Sequence, residues 1–293
     1  MYSRYRSFPL RTPLITAVLL LLSALSPTHA VSSGCPDTLR FADTGIEGAE
    51  ELYLIYHKFA KLSQELLGIK VKFFPVSNRT IAINALRFNQ VDVVLAGPSE
   101  YVLMMERLRN IQPIVAVVRP NYYSVFIVPA RSDAKTLNDL KGKHIGLKDH
   151  GSTTGHIMPS YMLHKAGLDL DRDVRLSMLG GARLAALFSG EVDAVGTGIQ
   201  DYQYLVQREG EGRYRILEQG ESMPGDPFVA GSHLNTACVA HIRRVFMENA
   251  AAVVDSILQP GKYEKYLGAH LVIPKDSNYD MVREAYSLLG LRD

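Results

Sequence analysis

Apolar and polar positions along this 293-residue chain switch between two periods. Thr38-Leu-Arg-Phe-Ala42 alternates residue by residue, as a half-buried strand does, and Asp43-Thr-Gly-Ile-Glu-Gly48 turns the chain. Leu52, Ile55, Tyr56, Phe59, Leu62 and Leu66 then recur near the helical period until Gly68 stops it. Val71-Lys-Phe-Phe74 predicts the next strand, residues 79–89 a helix, and Val91-Asp-Val-Val-Leu95 another strand. Tyr123–Val128 and Lys143–Lys148 read as further strands, the second leading into a helix that begins near residues 156–158. Strands alternating with helices predict an α/β architecture with largely parallel sheets.

The pattern also repeats. Ala85-Leu-Arg-Phe-Asn-Gln-Val-Asp-Val-Val-Leu-Ala-Gly97 parallels Ala186-Leu-Phe-Ser-Gly-Glu-Val-Asp-Ala-Val-Gly-Thr-Gly198. Each is a helix end, a tight turn, Val-Asp entering a strand and a glycine after it. The unit is common in α/β proteins, but its double occurrence fits two lobes of like construction. Tyr123–Val128 is the natural outward crossing and Met223–Ala230 the return. The expected first lobe is residues 36–124 plus 224–293, and the second is residues 125–223.

Composition separates off the first thirty residues. Arg4, Arg6 and Arg11 precede an apolar run from Leu14 to Leu25, and Thr28-His29-Ala30 places small residues at a cleavage site. The run is too short to span a bilayer, so residues 1–30 read as a secretory signal peptide and the expected location is the periplasm. A lipidated Cys35 is disfavoured, since Ser32-Ser33-Gly34 has no large aliphatic residue. Without the leader's three arginines the net charge falls from +2 to −1, which leaves no basic surface for nucleic acid. Cys35 and Cys238 either pair in an oxidising compartment or leave Cys238 a buried thiol. Neither they nor the nine histidines have metal-site spacing, and no metal or cofactor is expected.

The candidate chemistry is Gly151-Ser152-Thr153-Thr154-Gly155, between the Lys143–Lys148 strand and a helix with Pro159 in its first turn. Glycines let backbone approach a ligand, hydroxyls donate, and the first helical N–H groups favour negative charge. An ordinary capped βα loop has the same composition.

With these residues in order, the chain resembles the periplasmic solute-binding proteins of phosphonate and phosphite ABC importers. The markers are Ala85–Asp92, Pro120-Asn-Tyr-Tyr-Ser-Val-Phe-Ile-Val128, Asn138–Lys143, Gly151–Gly155 with Pro159, and Pro224-Gly-Asp-Pro-Phe228, within residues 38–270. The resemblance implies a two-lobed type-2 periplasmic binding fold, each lobe a mainly parallel sheet flanked by helices, with the ligand in the interlobe cleft. It maps the family's oxyanion loop onto Ser152, Thr153 and Thr154, its hinge tyrosine onto Tyr122, and its Pro-x-Asp-Pro aspartate onto Asp226. Asp226 would accept the O–H of a monoprotonated anion and repel a fully deprotonated one. Three positions depart from the family. Ser77-Asn78-Arg79 stands where Thr-Asp-Tyr is usual, so Arg79 either grips the oxyanion or extends to solvent. Leu179-Gly180-Gly181-Ala182 lacks the expected histidine, and Gln200 replaces the glutamate that receives an organic amine, although Asp201 is adjacent. Both losses argue against an aminoalkylphosphonate. Tyr101 is either a cleft residue or a packing one, and Asp43 and Thr44 lie in a cleft-facing loop of this fold.

The expected function is capture of a small oxyanion and delivery to the permease and ATPase of an ABC importer, by a monomer. The alternative is a sensory member of the fold that presents a phosphite- or arsenite-type oxyanion to a membrane histidine kinase. An enzyme is not expected, because no nucleophile elbow, Walker loop or metal triad is present.

Overall fold

The apolar runs sort into two sheets, and the chain passes between them twice. The computed structural model describes residues 1–2, 34–45, 49–76, 78–258 and 264–291. Apart from Met1 and Tyr2, the proposed signal peptide lies outside the described residues, as does Ser77. Residues 31–293 form one compact unit.

The chain begins with β1 (Thr38–Asp43), α1 (Ala49–Leu67), β2 (Lys70–Phe73), α2 (Arg79–Arg87), β3 (Val93–Leu95), α3 (Pro98–Arg107) and β4 (Gln112–Val118). It crosses into β5 (Tyr123–Pro129), β6 (His144–Leu147), α4 (Met158–Lys165), β7 (Arg175–Met178), α5 (Arg183–Ser189), β8 (Ala194–Gly198), α6 (Ile199–Glu209) and β9 (Tyr214–Ser222). It returns through β10 (Asp226–Ala230), α7 (Thr236–Glu248), α8 (Ala250–Ser256), β11 (His270–Val272) and α9 (Asp280–Leu288). The first sheet has the order β11-β4-β10-β3-β1-β2 and the second β7-β6-β8-β5-β9.

The sheets are mixed, where largely parallel ones were expected. β1 pairs parallel with β2 and β3, and β6 with β7 and β8, as βαβ units require. The strands beside the crossings run the other way: β10 is antiparallel to β3 and β4, and β5 to β8 and β9. A chain that enters a lobe along one strand and leaves along its neighbour must pair antiparallel there. The crossings are tied to each other, since Met223 N–H donates to the Tyr122 carbonyl at 2.7 Å and Tyr123 pairs with Ser222.

On one face of the first sheet, Phe41, Phe59, Phe228 and Phe246 join the buried sides of α1, α7 and α8. Phe59 stacks on Phe228 with centroids 5.4 Å apart. The other face packs Val94, Tyr101 and Tyr279 together with Ile157 and Met158 from the start of α4, so one apolar cluster spans both lobes. Cys35 and Cys238 form a disulfide with Cα atoms 4.8 Å apart, tying the segment before β1 to α7. The free-thiol alternative is thereby excluded.

The sequence echo has one geometry in both places. The N–H groups of Gln90 and Val91 both reach the Ala85 carbonyl, at 2.8 and 3.2 Å, and those of Glu191 and Val192 reach that of Ala186 at 2.9 and 3.3 Å. Asn89 and Gly190 take positive φ at these turns, 55° and 76°. Asp92 and Asp193 then accept the N–H of Arg40 and His144 on the neighbouring strand, at 2.6 and 2.8 Å.

Candidate functional site

The second-lobe wall begins where β6 ends. Gly151 turns the chain at φ 82°, donates its N–H to His156 Nδ1 at 3.1 Å, and is followed by one wide π-turn over Thr153–Ile157. The Ile157 and Met158 N–H groups reach back five residues, to the carbonyls of Ser152 and Thr153. Such single turns insert one extra residue and open the helix end. Pro159 has no N–H to offer the preceding turn. The Gly155 carbonyl there accepts from Lys148 N–H at 2.8 Å, and that of Thr154 from Ser124 Oγ at 3.2 Å. Gly155 is required by space, because a Cβ there would lie 2.5 Å from Lys148 Cβ and 3.0 Å from Ser152 Oγ. Regular helix thus begins at Met158, the end of the range expected, with Ser152, Thr153 and Thr154 presented ahead of it.

Opposite this turn are residues of the first lobe and the crossing. Together they enclose a cavity of about 110 Å³, small against the roughly 300–1,000 Å³ of pockets for drug-sized ligands. Ser152, Thr153, Thr154, Tyr122, Asp226 and Arg79 all line it. So do Arg119, Glu100, Lys148 and Lys265, which no sequence motif singled out, and Asp43 and Thr44, which carried little weight.

The carboxylates on this wall are held by donors. Asp43 accepts from Gly45 N–H at 2.6 Å and Tyr56 Oη at 2.7 Å. Glu100, 1 % exposed, accepts from Ser99 Oγ at 2.8 Å and from Arg79 Nη1. Asp226 accepts from Arg119 Nη2 at 3.1 Å and Tyr266 Oη at 2.9 Å. Tyr122 lies under the Arg119 guanidinium, and burial pushes its phenol up to about 12, so it keeps its proton at neutral pH and can donate.

Three candidates have other partners than expected. Arg79 neither extends to solvent nor stands clear for a ligand; besides Glu100 it holds Asp149 across the cleft, Nε to Oδ2 at 2.8 Å. Tyr101 is outside the cavity lining, its ring tilted against that of Tyr279 with centroids 4.3 Å apart and its phenol on Asp276 Oδ1 at 2.8 Å, and burial raises its pKa. It is a packing residue because α3 turns this face toward α9 rather than the cleft. Gln200 also lies outside the lining, its Nε2 donating to the Asn121 carbonyl on the crossing at 2.7 Å. Neighbouring Asp201 accepts from Arg183 Nε at 2.8 Å and is likewise outside the lining.

A second contact joins the lobes beside the cavity. Ser99, at the start of α3, donates its N–H to Thr153 Oγ1 at 3.1 Å, and its Oγ lies 2.6 Å from the Gly151 carbonyl and 2.8 Å from Thr153 Oγ1. Thr153 therefore serves both the cavity and the contact between lobes.

Residues 46–269 match the family model described as ABC transporter, phosphonate, periplasmic substrate-binding protein. The phosphate-import protein PhnD of Mycolicibacterium smegmatis is 26 % identical over 93 % of this chain and 94 % of its own length. The phosphonates-binding periplasmic protein of Escherichia coli is 26 % identical over 79 % of this chain and 71 % of its own. In fold, the chain is similar to PhnD1 of Prochlorococcus marinus, solved with methylphosphonate, with a TM-score of 0.69, 19 % identity, and coverage of 87 % of this chain and 99 % of that one.

Proposed function

The chain belongs to the family of periplasmic substrate-binding proteins of phosphonate ABC transporters, whose members are not enzymes, and we propose that it captures a small phosphorus oxyanion. In this reading residues 1–30 direct export and are removed. The first lobe is residues 36–124 plus 224–293 and the second residues 125–223, hinged where Tyr122 and Met223 meet. The lobes close on the anion, and the closed monomer passes it to a membrane permease and ATPase. Ser152, Thr153 and Thr154 with the N–H groups of their turn hold the oxygens, Tyr122 donates from the hinge, and Asp226 with its partners fixes the opposite side. The observation that carries the reading is the small cavity with this hydroxyl-rich helix start on one wall and arginines on the other. Its size, and the engagement of Gln200 and Asp201 elsewhere, favour an anion with a small substituent or none. The relatives above are importer components and lend the sensory alternative no support.

Calorimetry against phosphite, phosphate, methylphosphonate, aminoethylphosphonate, sulfate and arsenite tests this. At least one phosphorus anion is expected to bind, and Ser152→Ala with Thr153→Val to weaken it by about 100-fold or more, as loss of two hydrogen bonds to a charged ligand implies. Binding of a cationic or aromatic ligand, with no response to any anion, would reject the assignment.

A further inference from the structure

Arg119 follows β4 at the crossing and touches two residues to which the sequence gives separate tasks. Its guanidinium carbon lies 3.1 Å from the centroid of the Tyr122 ring, and its Nη2 is 3.1 Å from Asp226 Oδ1. The Arg119 side chain is 8 % exposed and that of Asp226 4 %, so solvent screens the pair little. Tyr266 holds the second carboxylate oxygen and packs 5.8 Å from the same guanidinium, which fixes the pair from the other side. All four residues line the cavity.

On its own, a carboxylate here excludes a fully deprotonated oxyanion by repulsion and admits one that keeps a proton to donate. A guanidinium at 3.1 Å from that carboxylate offsets its charge and adds donors of the geometry that phosphorus oxyanions accept. We propose that Arg119 sets the charge state the site accepts: paired with Asp226 and stacked on Tyr122, it lets the cavity hold the dianionic form of a phosphorus oxyanion, a role that rests on the oxyanion reading above. The expectation that Asp226 filters out fully deprotonated anions is thereby replaced.

Other charged groups face this pair. Arg79 of α2, Lys148 after β6 and Lys265 beside Tyr266 supply positive charge, while Asp43 and Glu100 oppose it. All five are shared by wild type and by every variant at positions 119 and 226, so the proteins compared differ only within the pair.

The test is calorimetry of inorganic phosphate and phosphite on the mature chain between pH 5.5 and 8.5, a range that spans loss of the second proton (about pH 6 for a phosphate monoester). Wild type is expected to keep its affinity within about threefold across the range. Arg119→Gln should lose about tenfold or more between the two ends, because Asp226 is left facing the dianion. Adding Asp226→Asn to that variant should restore a flat profile. Arg119→Lys, which keeps the charge but not the planar stack, should bind more weakly with the wild-type profile, and it keeps the question answerable should Arg119→Gln fail to fold. If Arg119→Gln binds more weakly by one constant factor at every pH, Arg119 acts only by packing on Tyr122 and the proposal is overturned; a pH-dependent loss in Arg119→Lys overturns it equally. Wild type that binds neither anion at any pH overturns the oxyanion reading itself, an outcome visible before any variant is compared.

Discussion

His156 is 8 % exposed beneath the Ser152–Thr154 turn, where its Nδ1 accepts the Gly151 N–H. A ring nitrogen that accepts is unprotonated. Burial first, then the neighbouring His150, lowers its pKa from 6.5 to about 4, against an opposing effect of Asp149. The unfolded chain therefore binds more protons than the folded one between those two values, and stability present above pH 6.5 is lost as pH falls toward 4. The loss is at most about 3 kcal/mol. Melting at pH 7 and pH 4.5 should show a smaller acid effect in His156→Gln, whose amide oxygen can still accept from Gly151 but does not titrate. Equal acid effects in both proteins would remove His156 from the account. At this scale the sequence was informative about donors and silent about their partners. Ser152, Thr153, Thr154, Tyr122 and Asp226 all reach the cavity from motifs. Arg119 and Lys148 flank those motifs without belonging to them, Glu100 and Lys265 come from segments that no motif marks, and Tyr101 and Gln200 are drawn away by Asp276 and the Asn121 carbonyl.

Among the elements, local pattern carried furthest where one face is buried and the other wet. The alternation at the start of β1 and the period of α1 follow from it, whereas the strands of the duplicated unit are buried on both faces and are legible from the repeated Val-Asp and the glycine after it. β4 does not, because Ile114 to Val117 are all buried and leave no alternation to read. The sense of β5 and β10 depends on where the chain changes lobes, which no local period encodes. The wide turn ahead of α4 leaves the carbonyls of Gly155 and Thr154 to Lys148 and Ser124, partners outside the turn. Cysteine pairing is the sharpest case: Cys35 and Cys238 are 203 positions apart, and only the packing of α7 on the first sheet brings them together. Closing so long a loop is worth about 5 kcal/mol in the chain-entropy account, with 2–5 kcal/mol typical on removal of a native bridge. Cys35→Ala with Cys238→Ala should therefore lower the melting temperature by roughly 5–15 °C. Anion affinity should stay within about twofold, since the bridge belongs to the α1–α7 face and not to the cavity. Wild type under reductant should approach the variant, and a melting point unchanged by either treatment would show that packing alone holds this segment.

At the scale of the whole molecule, the lobes are joined on two sides. Behind the cleft, Ile157 and Met158 share an apolar cluster with Tyr101 and Tyr279, and Tyr161 Oη donates to Glu284 of α9 at 2.9 Å. In front, Arg79 holds Asp149 and Ser99 holds Gly151 and Thr153. The rear contacts are mainly packed side chains, whereas the front ones are polar and few. Arg79 keeps Glu100 when Asp149 is removed, so Asp149→Ala leaves no buried arginine without a partner. Ser99→Ala likewise keeps the N–H donated to Thr153. The pair of substitutions should thus loosen closure at the cost of one wall donor, since Ser99 Oγ also donates to Glu100, which keeps Arg79. A closed state disfavoured by about 1–2 kcal/mol raises Kd by about 5–30-fold, because the ligand must supply that free energy on binding. The change should appear mainly in the dissociation rate, with X-ray scattering of the ligand-free protein shifted toward a larger radius of gyration. Weaker binding with unchanged scattering would instead assign Asp149 and Ser99 to the anion site directly. Unchanged affinity and scattering would mean that the rear contacts alone set the closed geometry.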